Sequence, residues 1–267
     1  MNMKQETFSI VLPTFNRREK LTQLLAALLN QEYPKRFYEI IISDDGSTES
    51  MIRFINKKIT YIENEHQGVI KTVNVGLRKT KNEIVIMMCD DILPDENFLS
   101  DYNEWFSSHP NAQAITALQV PSPEMVKTNI FARHEYAVSL YGFAKGLASS
   151  PIAVRREALE SIHYLDGLSG MSEDTRMIER LNENGYTPIQ SNIEVIHMQD
   201  YSLRGFIKSA INRGRAGREF KPRRFFVLKL LATPMMFLVY YFRLGSLETT
   251  GMHTIYNTIL SFSAIMR

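Results

Sequence analysis

Residues 8–88 alternate between short apolar runs and amphipathic stretches, and this alternation constrains the fold more than any other feature. FSIVLP (8–13) is a short apolar, β-branched run, YEIIIS (38–43) reads as a fully buried strand, ITYIENE (59–65) is a third strand and EIVIMM (83–88) a fourth. Between the first two, Arg17 to Gln31 sets Leu21, Leu24, Leu25, Leu28 and Leu29 on one helical stripe. Val69 to Lys79 is a further helix. Strands without a polar face must be covered on both sides, so the pattern predicts a mostly parallel α/β sheet with helices on both faces.

The second half is less regular. AQAITALQV (112–120) is expected as a strand, residues 121–150 as an irregular aromatic segment, and IAV (152–154) as a short strand with a helix from Arg155. A better helix starts at Glu173 and ends at Asn184-Gly185, and IEVIHM (193–198) is a late strand. From Ser202 the chain reads as helical, broken at Pro222, Pro234 and Gly251. The expected division is a domain over 1–217, with halves 1–111 and 112–217, and a helical extension over 218–267.

Charge separates the extension from the rest. The chain of 267 residues carries a net +2, which argues against general nucleic-acid binding. Yet Arg204 to Lys229 holds nine bases against Glu219 alone, a local +8 that leaves −6 for the remainder. An apolar stretch, FFVLKLLATPMMFLVYYF (225–242), follows at once. A polybasic run leading into an apolar one predicts contact with an anionic membrane surface, the helix lying in the cytoplasmic leaflet, with a buried helix or a single span as alternatives. The single cysteine, Cys89, excludes an internal disulfide, and MNMKQETFSI lacks a secretion signal. A cytoplasmic catalytic part, peripheral to the inner face of the cell membrane, is therefore expected.

In an open parallel sheet, ligands bind beyond the carboxyl ends of the strands. There the sequence places Pro13-Thr14-Phe15-Asn16, Asp44-Asp45-Gly46-Ser47, Asp90-Asp91 and, after the late strand, His197. Asp44 to Ser47 is good turn chemistry on its own account, and Glu173-Asp174 after Ser172 has the form of an ordinary helix start. Acids in adjacent positions after a buried strand are harder to explain structurally. They repel a phosphate unless a divalent cation intervenes, and hard oxygen ligands suit Mn²⁺ or Mg²⁺. The set points to a nucleotide diphosphate held through a metal.

SIVLPTFNR (9–17), EIIISDDGSTE (39–49), NVGLRKTKNEIVIMMCDDILPDENFL (74–99) and SEDTRMIERLNENGY (172–186), in this order, resemble the family 2 glycosyltransferases of GT-A fold. The resemblance covers roughly residues 8–217. It implies inverting transfer of one sugar from a nucleotide-sugar donor to a glycan or lipid-linked acceptor. It further implies that Pro13 and Thr14 line the nucleoside pocket, that Asp45 accepts a hydrogen bond from the base, and that Asp90 contacts the ribose. Asp91 would bind the cation, with His197 close to the diphosphate or metal. Asp174 matches the catalytic base, and Glu173 beside it belongs with the substrate-binding residues. Arg155-Arg156 and Gly167-Leu168 resemble the segment flanking the acceptor site.

The chemistry agrees with these roles. Inverting transfer needs a carboxylate to take the acceptor's proton, and a helix N-terminus keeps that carboxylate ionised. Two departures stand out. The metal motif reads Cys89-Asp90-Asp91, which leaves Asp90 as an alternative ligand, and Val73 stands where many relatives carry arginine. The Gln-x-x-Arg-Trp motif is absent, Trp105 being the only tryptophan, so addition of single sugars is expected rather than processive synthesis. The alternatives are a polyprenyl-phosphate glycosyltransferase, less dependent on a base, and a non-catalytic nucleotide-sugar-binding relative.

Overall fold

The computed structural model describes residues 4–48, 59–140, 150–168, 170, 172–244 and 246–266. Two compact units divide the chain: one of residues 1–119 and 147–197, the other of 120–146 and 198–267.

The first unit is built on a mixed sheet. In chain order it contains β1 (Phe8–Thr14), α1 (Arg18–Leu29), β2 (Tyr38–Asp44), β3 (Ile59–Glu63), α2 (Val69–Leu77), β4 (Ile84–Met87), β5 (Ile92–Leu93), α3 (Phe98–Ser108) and β6 (Ala114–Val120). After the second unit's first segment, α4 (Pro123–Thr128) and α5 (Ile130–Leu140), it resumes with β7 (Ile152–Arg155), α6 (Arg156–Ser161), α7 (Glu173–Glu183) and β8 (Ile189–His197). The strand order is β3-β2-β1-β4-β7-β6-β8-β5. The expected parallel pairing holds for β3, β2, β1 and β4, whereas β7 runs antiparallel to β4 and β6, and β5 antiparallel to β8.

Side-chain alternation divides the core between the two sheet faces. Ile10, Leu12, Ile40 and Ile42 pack with Leu21, Leu24 and Leu28 of α1 and Tyr102 and Phe106 of α3. Val11, Ile41 and Val85 pack with Ile70, Val73 and Leu77 of α2 and Leu181 of α7. Strands buried on both faces explain the unbroken apolar runs. Because β2 and β4 flank β1, the strand order reverses at β1, and a crevice opens at the carboxyl ends of β1, β2 and β4.

The second unit is helical: α4, α5, α8 (Leu203–Gly217), α9 (Arg223–Leu244) and α10 (Leu247–Ile265). Residues 121–140 are thus helical rather than irregular. Ser122 caps α4 by accepting the Met125 amide, with Pro123 at the first helical position. Residues 141–149 lie outside the described part. Pro222 precedes α9 as expected, but Pro234 and Gly251 lie inside helices. At Pro234 the helix continues, and the preceding Thr233 hydroxyl donates to the Lys229 carbonyl at 2.8 Å within that stretch. The Gly251 Cα faces open space, so its missing side chain leaves no packing gap that could break α10. Helix α8 belongs with α10, where Gly214 allows the backbones to approach so closely that a Cβ there would lie 2.2 Å from the Leu260 carbonyl oxygen.

Candidate active site

The loops after β1 and β2 are tied together. Thr14 and Asp44 are register partners, and the Asp45 amide donates to the Thr14 carbonyl at 2.9 Å. Asn16, in the left-handed region at φ 53°, accepts the Thr48 amide on its side chain and donates its own amide to the Ser47 hydroxyl. Asp44 is buried and serves the turn: it accepts the Ser47 amide and hydroxyl and the Tyr61 hydroxyl.

Asp45 secures the approach to α2. Its carboxylate accepts the Gln67 and Gly68 amides at 2.9 and 3.1 Å and the Thr72 hydroxyl at 2.6 Å, with His66 Nδ1 at 2.9 Å. Burial works against its charge, but these donors hold the carboxyl below the usual carboxylate range. A nucleobase would share an acceptor that the protein already uses. Beside it the Phe15 and His66 rings stack at 4.5 Å, with Phe15 41% exposed. Sequence reasoning assigned this pair no role, although Phe15 directly follows Thr14 beyond the first strand.

The acidic motif follows β4. Asp90 is buried and accepts the Thr14 hydroxyl at 2.9 Å and Arg17 Nη1 at 2.8 Å. Burial raises its pKa, against the pull of Arg17. The same Arg17 nitrogen lies 3.1 Å from Asp91, with Lys20 Nζ 3.8 Å away. Pairing of β5 with β8 sets Ile92 opposite His197, which brings His197 Nε2 to 3.9 Å from Asp91. Arg17 was assigned no role from sequence; its signal was a base three residues beyond the first strand, facing a doubled acid.

The start of α7 reaches the same place. Glu173 Oε1 lies 3.6 Å from Cys89 Sγ across 84 residues of sequence. Burial first, and then the neighbouring Asp174 charge, push Glu173 up to about 7. Burial and the charges of Glu173, Asp91 and Asp174 push the Cys89 thiol up as well. Asp174 Oδ1 accepts the Thr175 amide at 2.7 Å. Pro13 is buried in β1 opposite Ser43.

Arg155 and Arg156 lie elsewhere. Antiparallel pairing sets Arg155 opposite Ile84, at the amino end of β4 and so at the sheet edge away from the crevice. Arg155 packs over the Phe106 ring near Glu6, and Arg156 bonds the Asn82 carbonyl and Glu160. The expectation that they flank an acceptor site is therefore corrected.

Asp91 and His197 can offer a cation two protein ligands. Among the described residues no group of three histidine, cysteine or acidic side chains is placed to enclose an ion. Such a donor set fits an ion that takes its remaining ligands from a diphosphate and water, the usual arrangement for Mg²⁺ in phosphate sites.

The Glycosyl transferase family 2 model matches residues 9–162. The poly(ribitol-phosphate) beta-N-acetylglucosaminyltransferase TarS of Staphylococcus aureus is 25% identical over 159 residues, 57% of this chain and 28% of the relative. A dolichyl N-acetyl-alpha-D-glucosaminyl phosphate 3-beta-D-2,3-diacetamido-2,3-dideoxy-beta-D-glucuronosyltransferase of Methanococcus voltae is 31% identical over 106 residues, 37% of this chain and 33% of that one. The matches thus span a third or less of these relatives' lengths. Among solved structures, the mannosyltransferase PcManGT from Pyrobaculum calidifontis, in complex with GDP-Man and Mn²⁺, superposes with a TM-score of 0.61 at 18% identity, covering 98% of this chain and 74% of that one. S. aureus TarS 1–349 in complex with UDP-GlcNAc gives 0.56 at 15% identity over 97% and 90%. The fold is therefore GT-A-like, and the chain belongs to glycosyl transferase family 2.

Proposed function

We propose that the chain moves one sugar, with inversion, from a nucleotide-diphosphate sugar to a hydroxyl of a glycan or lipid-linked saccharide, with UDP as the first nucleotide to test. The contact between Cys89 and Glu173 carries this reading, because it joins the start of α7 to the acidic motif at the carboxyl edge of the parallel strands. Asp174 removes the acceptor proton as the oxygen attacks the anomeric carbon; general-base help of this kind is worth roughly 10²- to 10⁴-fold. Pro13, Thr14 and Asp45 hold the nucleoside, Asp90 the ribose, and Glu173 lines the substrate site. Asp91 and His197 would hold Mn²⁺ or Mg²⁺, which supplies Lewis-acid stabilisation of the leaving diphosphate. The enzyme works at the cytoplasmic face of the cell membrane.

Calorimetry with UDP, GDP and dTDP, with and without Mn²⁺, tests the donor site. One nucleotide binding only with metal, and not to Asp91→Ala, is the expected result; no binding under any condition overturns the reading. For the base, Asp174→Asn abolishes transfer yet keeps nucleotide binding. If Glu173→Gln abolishes transfer while Asp174→Asn leaves it intact, the base is Glu173.

A further inference from the structure

Helix α9 is long enough to cross a bilayer. Of the described helices it alone combines that length with sufficient apolarity, over Arg223–Phe242. Its 22 residues would extend about 33 Å, against roughly 30 Å of hydrocarbon, so length does not separate a span from a surface helix. The distribution of its exposed side chains does.

Leu228, Leu231, Met235, Leu238 and Phe242 recur at intervals of three and four residues and form one stripe, 63–82% exposed. From Phe225 to Phe242 every exposed residue is apolar or aromatic. Lys229, the only charge in that stretch, is half-buried on the other side of the helix. That inner side, with Phe226, Thr233, Tyr240 and Leu244, is buried within the helical unit. Tyr240 and Leu244 pack with Ala137 of α5, and the Tyr240 ring meets His253 of α10 at 4.6 Å. The partner helices carry the buried polar pair His134 and His253 and the Arg133–Glu248 ion pair. Spanning would expose α9's inner side, or drag this polar layer into hydrocarbon, where unmatched polar groups are costly. Immediately before the stripe stand Lys221, Arg223 and Arg224, all exposed. An apolar face this long, continued by positive charge, is complementary to acyl chains below phosphate headgroups.

We propose that α9 lies in the plane of an anionic lipid surface, its Leu228–Leu231–Met235–Leu238–Phe242 stripe in the acyl layer and the preceding basic residues at the headgroups. This rests on the membrane-surface part of the functional reading and specifies its mode; it does not depend on the reaction assigned.

The test is co-sedimentation of the full chain with phosphatidylcholine vesicles, pure or mixed equally with phosphatidylglycerol. The chain is expected to bind the anionic vesicles more tightly, to lose that preference in high salt, and to be released by alkaline carbonate. Leu231→Glu with Met235→Glu should weaken vesicle binding by about a hundredfold or more, and Arg223→Ser with Arg224→Ser by about tenfold on anionic vesicles only. Leu231→Met with Met235→Leu, which keeps the surface apolar, should bind as the parent does and controls for folding. Resistance to carbonate would mean a span, and so overturn the proposal. A lipid-free dimer that the glutamate pair converts to monomer would overturn it in favour of a second copy on the stripe. Nucleotide calorimetry on the same samples separates the two readings: vesicle binding without nucleotide binding sinks the transferase proposal alone, and the converse sinks this one alone.

Discussion

Arg17 Nη1 sits 2.8 Å from Asp90 Oδ1 and 3.1 Å from Asp91 Oδ2, so one guanidinium nitrogen bridges both acids of the metal motif. The bridge offsets the repulsion between adjacent carboxylates, one of them buried. It also makes Arg17 a competitor of the ion. Arg17→Gln should tighten Mn²⁺ binding in the absence of nucleotide by about five- to tenfold, a modest figure because the arginine is half exposed and screened by water. Electron paramagnetic titration of free Mn²⁺ measures this; unchanged or weaker binding would rule out competition.

Glu173 makes the site pH-sensitive. Its carboxyl, raised by burial and by Asp174 to about 7 from an ordinary 4.5, keeps its proton longer in the folded chain than in the unfolded one. Stability therefore falls as pH rises through the window from 4.5 to about 7 and is level above it. Glu173→Gln removes that ionisation. In metal-free buffer its melting temperature should equal the parent's near about pH 4 and exceed it near about pH 8. An equal difference at both pH values would contradict the assignment.

The helical unit carries the opposite dependence. His134 Nε2 and His253 Nδ1 lie 3.1 Å apart, at 2% and 7% exposure, among Phe206, Tyr240 and Tyr256. Burial lowers both from 6.5, so the folded chain resists protonation that the unfolded chain accepts. The stability is present above 6.5 and is lost as pH falls toward about 4. The double variant His134→Gln/His253→Gln should flatten this acid limb in thermal melts followed by circular dichroism. A limb as steep as the parent's would assign it to other groups.

Gly76 tests the packing of α2 on the sheet. A Cβ there would lie 2.6 Å from Val11 Cγ1 and 3.3 Å from Ser43 Cβ. Alanine normally gains about 1 kcal/mol over glycine inside a helix, but forcing a methyl into this contact costs about 1–3 kcal/mol. Gly76→Ala is therefore expected to lower stability in urea titration; a gain would show that α2 can move away from β1.

Much of the first unit was legible because burial leaves a periodic trace. The apolar runs at 8–13, 38–43 and 83–88 are strands covered on both faces, and their following residues fall at one edge by topology alone. Asp90 and Asp91 stand out in the sequence because doubled acids after a buried run lack a structural excuse, whereas Glu173-Asp174 has the form of an ordinary helix start and gains a role only through the family resemblance. Arg17 does not stand out, since a base opening a surface helix looks the same whether it faces water or a carboxylate. Residues 121–140 read as irregular in the sequence because two short helices with little apolar periodicity are decided by their packing in the helical unit. Pro234 reads as a break in the sequence because local backbone rules cannot see the α5 and α10 contacts that hold α9 together.

By itself the sequence determined the parallel strands, the acidic edge and the basic-to-apolar run, all of which follow from local pattern and composition. The tertiary structure decided what distance along the chain conceals: that β7 inserts antiparallel beside β4, that Cys89 meets Glu173, and that Arg155 belongs to the far edge. It also decided that Lys229 turns inward, leaving the exposed stretch of α9 from Phe225 to Phe242 uncharged. Those outcomes depend on which surfaces exclude water together, a property of pairs of segments that neither segment carries alone.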